Sequence, residues 1–358
     1  MSEVPTLYRA WFEEPAVDRR SRGNLAALFL HRGEQAQERE AAMTIEQERT
    51  TRITVLGVGG AGGNAVDGMI GDGLAGVGFM VVDTDFYGLT RSKAQHVIRM
   101  ELNGLCQAGF GCSPDLYEMW VGEVAGQIRD HLSGVDMLLL VAGLGGCCGT
   151  AATPAIARIA REMGIFTVGV VTKPYRFEGN RRMRMAERGR SALAEVVDTL
   201  LILPNEKWLA AVMAAKEDVR SEDMFRRAAH NQCCAVACVA GPLVKGVIGI
   251  DFDDVCAVLR KRGNSMMGIG EAAGIRRAAK AAEAAIASPW TEESSMKDAR
   301  DVWISVTGGR DLDLTEVDEA VARIREEADR EARIVVGATI DGALDGLIRV
   351  SVIATGMR

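Results

Sequence analysis

The chain has 358 residues, 48% of them hydrophobic and 25% charged, which is ordinary globular material, long enough for two packed domains. A net charge of −7 and an aromatic content of 5% argue against nucleic acid as the main partner, because the balance of charge is acidic and a base-stacking surface needs more aromatic side chains. No apolar run reaches the length of a membrane span, and the basic-then-apolar stretch from Arg19 to Leu30 lacks a small-residue cleavage site, so a cytoplasmic protein with no direct membrane segment is expected.

Residues 1–51 read as an N-terminal extension, with short helices predicted at Leu7 to Phe12 and Asn24 to His31 and a charged lead-in after them. From Arg52 strands and helices alternate. The strand Ile53 to Leu56 precedes the glycine-rich Gly57-Val58-Gly59-Gly60-Ala61-Gly62-Gly63-Asn64, a helix is predicted from Asn64, and the strand Gly78 to Val82 ends at Asp83. That is βαβ syntax, hence a parallel sheet. A short apolar piece, His96 to Met100, leads to a glycine cluster at Gly104 to Pro114 and a helix over Tyr117 to Leu132.

The strand Asp136 to Val141 then feeds a second small-residue loop, Val141-Ala142-Gly143-Leu144-Gly145-Gly146-Cys147-Cys148-Gly149-Thr150, with a helix predicted from Ala151 to Met163. Strands at Phe166 to Thr172 and Thr199 to Leu203 flank a helix from Asn180 to Val197. Glu222 to Ala240 is a long, mostly apolar helix that Gly241-Pro242 is expected to kink or end. Beyond Cys256 the composition shifts to an alanine-rich helix over Gly274 to Ala287, a helix over Thr315 to Glu327, and strands at Val302 to Thr307, Ile334 to Thr339 and Leu347 to Ala354.

Strand, glycine-rich loop, helix is the arrangement that lets backbone N–H groups and a helix N-terminus meet an anion. Gly57, Gly59 and Gly62 satisfy G-x-G-x-x-G, and Asp83 follows about twenty residues on, as an NAD dehydrogenase requires. A second phosphate-type loop has no role in a dinucleotide site, however, and no hydride-transfer His or Arg cluster stands out. Zinc ligation by Cys233, Cys234 and Cys238, or by Cys147 and Cys148, fits no structural zinc spacing. The adjacent pairs favour reduced thiols, and the core-helix cysteines are expected to pack as small apolar residues, with no metal site. Lys173, Arg176, Arg181, Arg182 and Arg184 read as a solvated basic face or an anion patch.

From about Ile53 to Met357 the residues resemble the FtsZ family of the tubulin superfamily. Ile53 to Val66 is similar to the family's first nucleotide loop, Val171-Thr-Lys-Pro-Tyr-Arg-Phe-Glu-Gly-Asn-Arg-Arg-Met183 to its ribose-side loop, and Ser265 to Gly270 and Ala285 to Pro289 to later segments. The resemblance implies an α/β fold: a Rossmann-like GTP-binding domain over 52–221, a core helix and catalytic loop over 222–255, and a smaller α+β domain over 256–358. It also implies GTP and GDP as ligands, with Mg2+ a further candidate. Subunits would stack head to tail into protofilaments, and a full-length FtsZ paralogue is a second expected partner.

Residue by residue, the resemblance assigns Gly59, Gly60 and Asn64 to phosphate and base contacts, and Gly109 and Gly111 to the γ-phosphate loop. Gly145, Gly146, Cys147, Cys148, Gly149 and Thr150 would cradle the phosphates, Glu178 and Arg182 reach the ribose region, and Asn205 and Phe225 meet the guanine. Asp251 and Asp254 would be catalytic, entering the neighbouring subunit's site so that hydrolysis depends on polymerisation. The chain departs from the family pattern G-G-G-T-G-T-G at Cys147, Cys148 and Ala151, and Ala229 and Gly249 stand where the family carries Asn. The same comparison gives the expectation that no linker and terminal peptide follows Arg358. These departures imply weakened hydrolysis, with a nucleotide-binding structural or regulatory filament as the alternative; one lost hydrogen bond to a charged group is worth roughly 1.5–3 kcal/mol.

Overall fold

In the computed structural model, residues 51–101, 114–207, 209, 221–248, 250–260, 264–288 and 296–357 are described. The expected N-terminal extension, the loop carrying Gly109 and Gly111, and Gly249 lie outside the described residues. The first half alternates as the hydrophobic pattern requires: β1 (Ile53–Val58), α1 (Gly59–Gly71), β2 (Gly78–Asp83), α2 (Phe86–Arg91), β3 (His96–Arg99), α3 (Pro114–Leu132), β4 (Met137–Gly143), α4 (Cys147–Glu162), β5 (Phe166–Lys173), α5 (Asn180–Ala194) and β6 (Thr199–Pro204). These six strands form one parallel sheet in the order β3-β2-β1-β4-β5-β6. Strands such as Met137–Gly143 are apolar on both faces because both are covered. α3, α4 and α5 pack on one side around Trp120, Ile128 and Ile156.

The other side is covered by α1 and by α6 (Ser221–Lys245), which contributes Cys233, Val236, Cys238 and Val239 to a core shared with Met267, Trp303 and Ile353 of a second sheet. After α6 come β7 (Gly246–Ile248), α7 (Phe252–Leu259), β8 (Asn264–Ala273), α8 (Arg277–Ile286), β9 (Asp301–Gly308), α9 (Leu314–Glu327), β10 (Arg333–Ile340) and β11 (Leu347–Met357). The second sheet is mixed, ordered β7-β10-β9-β11-β8, with only β9 and β10 parallel.

Four elements, α6, β8, α1 and α4, extend beyond the sequence expectation. Of the two outcomes expected at Gly241-Pro242, a kink or an end, α6 does not end there: it runs on to Lys245. A proline at 242 removes the helical donor for the carbonyl four residues earlier, that of Cys238. That carbonyl accepts instead from the Trp303 indole Nε1–H at 3.1 Å, so the gap is filled from another element. β8 escaped notice because Met266-Met267-Gly268-Ile269-Gly270 looks like loop; a Cβ at Gly268 or Gly270 would lie 2.1 Å from the Ala285 or Ala281 carbonyl, so both glycines admit the backbone of α8. Finally, α1 and α4 begin at Gly59 and Cys147, about a turn ahead of the predicted starts at Asn64 and Ala151. Glycine's poor helix propensity hid those first turns, which tertiary packing holds in place.

Candidate nucleotide site

The sheet order reverses between β1 and β4, where connections leave in opposite directions and a crevice opens at the carboxyl ends of the strands. Register places Val58 beside Ala142, so both glycine-rich turns emerge side by side. They fit because they lack side chains: a Cβ on Gly149 would fall 2.4 Å from the Gly143 carbonyl oxygen, and one on Gly62 would fall 2.3 Å from that of Val141. Gly145, at φ +97°, occupies backbone space that favours glycine, and a Cβ there would meet Pro174 at 2.4 Å.

Between the turns lies a cavity of about 390 Å³. Of the expected site residues, Gly59, Gly60, Asn64, Gly146, Cys147, Cys148, Gly149, Glu178, Arg182, Asn205 and Phe225 line it. Gly145 and Thr150 do not: the Thr150 hydroxyl is buried and accepts the Gly145 N–H at 2.8 Å, bracing the turn from behind. Asp251 and Asp254 also lie off the cavity, exposed at the start of α7. Asp251 occupies the N-cap position yet its side chain caps nothing, so helix capping does not account for its carboxylate.

Electrostatically the cavity is built for an anion at one end. α1 and α4 both start there, neither has a side-chain cap, and neither carries an acidic residue in its first turn. Their leading N–H groups and positive dipole ends face the space beside Gly60 and Gly146, where an added Cβ would meet nothing within 4 Å. Cys148 sits beside this end as a half-buried free thiol; burial and then the neighbouring Asp83 carboxylate push its pKa well up, so it stays neutral. Asp83 also accepts the Thr84 N–H at 2.7 Å and does not line the cavity, which removes the ribose role an NAD site would give it.

The opposite end is aromatic and amide. Phe225 stands on the first turns of α6 with 56% of its surface exposed, ready to stack on a flat ring. Asn205, 7% exposed, carries a buried Oδ1 with no hydrogen-bond donor, an unfilled acceptor in the cavity wall. Ala229 faces the cavity, whereas His230 and Asn231, the two nearby polar residues, do not line it. Between the two ends, Glu178 accepts the Tyr175 N–H at 2.8 Å and pairs with Arg182.

Sequence reading missed Gln232, which donates to the Ala142 and Val170 carbonyls at 3.0 and 3.3 Å and so pins α6 to β4 and β5. Its signal was an amide on the otherwise apolar stretch after Phe225. Lys173 also lines the cavity and pairs with Glu187 at 3.0 Å, Arg176 pairs with Glu206 and Arg182 with Glu178, so these three cations are engaged in ion pairs. Cys233, Cys234, Cys238 and Cys256 are free and buried, and burial pushes Cys233, Cys238 and Cys256 up to about 12, as befits core packing. Cys147 departs from the expectation of reduced thiols: it is disulfide-bonded. Among the described residues no three His, Cys, Asp or Glu side chains gather around a metal position, and no helix is long and apolar enough to cross a membrane.

Comparison with known proteins agrees with this geometry. Residues 52–213 match the Tubulin/FtsZ family GTPase domain and residues 263–358 the FtsZ family C-terminal domain. Cell division protein FtsZ of Rhizobium radiobacter is 50% identical over 311 residues, 87% of this chain and 53% of that protein. Cell division protein FtsZ 2 of Rhizobium meliloti (strain 1021) is 46% identical over 87% of this chain and 89% of its own length. An empty FtsZ dimer from M. jannaschii superposes with a TM-score of 0.81 at 34% identity, covering 89% of this chain and 92% of that one. The chain spans about half the length of the first curated relatives it matches. These matches leave no place for a dehydrogenase, and the chain belongs to the tubulin/FtsZ family, on its FtsZ branch.

Proposed function

We propose that the cavity binds GTP and GDP, that subunits stack head to tail in the cytoplasm, and that GTP is hydrolysed where Asp251 and Asp254 of one subunit meet the nucleotide of the next. The observation that carries this reading is the convergence of two uncapped helix N-termini on a cavity whose far wall holds the unpartnered Asn205 Oδ1 and the exposed Phe225 ring. Phosphates lie against Gly60, Gly146 and the first turn of α4, the ribose beside Glu178 and Arg182, and the base on Phe225. The corresponding division of the chain is a GTP-binding part over 52–221, a linking segment over 222–255 and a C-terminal part over 256–358.

Within one copy, the carboxylate among the described lining residues is Glu178, whose oxygens already serve Tyr175 and Arg182. Hydrolysis therefore needs a carboxylate from outside, and the exposed Asp251 and Asp254 are free to serve a neighbour. The dimer among the FtsZ neighbours supports self-association, and the same junction would accept a full-length FtsZ paralogue. Mg2+, on this reading, is held mainly by the nucleotide's phosphates and its own waters, because among the described residues no three His, Cys, Asp or Glu side chains gather around a metal position. Phosphate release per subunit is expected to rise steeply with protein concentration. Asp254→Ala should lower it about a hundredfold while GDP binding stays unchanged. A concentration-independent rate, or equal turnover in the variant, overturns the assignment.

A second reading, a nucleotide-binding filament with little hydrolysis, draws on Cys148. A neutral thiol is a weak donor beside the phosphate end, and a hydroxyl there is expected to strengthen binding. Cys148→Thr raising turnover about tenfold favours this reading; unchanged turnover removes its support.

A further inference from the structure

Two elements far apart in sequence hold the two ends of the proposed nucleoside: the turn after β5, with Glu178, and the start of α6, with Phe225. One buried side chain joins them. Tyr175, 1% exposed, does not line the cavity, yet each part of it is engaged. Its N–H donates to Glu178 Oε1 at 2.8 Å, and its carbonyl accepts the Glu178 N–H at 3.0 Å. Its hydroxyl donates to the Met224 carbonyl at 3.1 Å, one residue before Phe225. Its ring meets the Phe225 ring edge-on, with centroids 6.0 Å apart at 87°, and stacks on Phe177 on the other side at 5.3 Å and 13°.

Phe225 by itself is an exposed ring on the first turns of a helix, where side-chain freedom would have to be lost on binding. An edge-to-face partner and a tether to the adjacent carbonyl remove that freedom in advance. Burial first, and then the charges of Glu178 and Glu206, push the Tyr175 phenol up to about 12, so its hydroxyl remains a donor throughout the neutral range.

We propose that Tyr175 is a positioning residue that fixes the span between the ribose-side carboxylate of Glu178 and the base-side ring of Phe225, and thereby sets affinity for the nucleoside part of the ligand. This rests on the nucleotide reading above. A double-mutant cycle with GDP, read by fluorescence titration, tests it. Tyr175→Phe keeps the ring and loses only the hydroxyl bond, and is expected to weaken GDP binding about fivefold. Phe225→Ala is expected to weaken it about thirtyfold by removing the stacking face. Because Tyr175 acts through Phe225, the double variant should bind GDP no more weakly than Phe225→Ala alone. Wild-type affinity in Tyr175→Phe, or losses that multiply in the double variant, overturns the inference while leaving the nucleotide reading intact. A wild-type protein that binds neither GDP nor GTP removes that reading and this inference together.

Discussion

The start of α9 in the mixed sheet and the starts of α1 and α4 in the parallel sheet are treated in opposite ways. In the mixed sheet, α9 is closed: Asp313 accepts the Thr315 N–H at 2.8 Å, and Glu316 reaches back to the Asp313 N–H at 3.2 Å, a full capping box. In the parallel sheet, α1 and α4 start on glycine-rich turns with no side-chain cap and no acid. The donors that α9 satisfies internally are left for something else at α1 and α4, and they share one cavity. The contrast teaches that a missing cap is informative when two of them point at the same space and a third polar atom, Asn205 Oδ1, is left unpaired beside them.

Making one start resemble the other breaks the comparison. Gly146 is the N-cap of α4, at φ −86° with open space around an added Cβ, so Gly146→Asp is sterically accepted. Its carboxylate would cap the helix and occupy the anion position. GDP affinity is expected to fall a hundredfold or more, while Tm rises by a few degrees, as calorimetry and titration on the same sample would show. Weaker in effect, Gly149→Ala pushes a Cβ to 2.4 Å from the Gly143 carbonyl and separates the turns; about 1–3 kcal/mol of stability should go, measured by denaturant unfolding.

The smallest effect is at the closed start. Hydrogen bonds from the Thr315 N–H and hydroxyl hold the Asp313 carboxyl below its usual range. A carboxylate with a depressed folded pKa stabilises above its unfolded pKa, near 3.9, and that contribution is lost as pH falls through the folded value. Asp313→Asn should therefore leave Tm almost unchanged at pH 7 and shrink its fall in strong acid, with GDP affinity unaltered. A change in GDP binding in this variant would show that the two starts are not independent.

Much of the parallel sheet was legible because its strands are continuous apolar runs between turn residues, and the cavity because phosphate turns announce themselves by glycine. Eleven expected residues line it, among them Asn64, Glu178 and Phe225 from three separate elements. What escaped reading depends on partners distant in sequence. The first turns of α1 and α4 lie against each other, a Cβ on Gly59 falling 3.1 Å from the Gly149 nitrogen, a proximity invisible to local propensity. β8 hides its period of two in glycines that mate with an alanine-rich helix. Thr150, a hydroxyl at the end of a phosphate turn, reads as a ligand contact, but the backbone needs it first.

The indole of Trp303 has a consequence for how the chain acquires its structure. Its hydrogen bond completes α6 at the carbonyl that Pro242 leaves without a helical donor, yet Trp303 belongs to β9, some sixty residues later. Until β9 has docked, the last turns of α6 lack that partner, and the shared core of Cys238, Met267, Trp303 and Ile353 is unformed. The two sheets are thus joined through α6, and exchange of its C-terminal amides should report a single cooperative opening that includes β9.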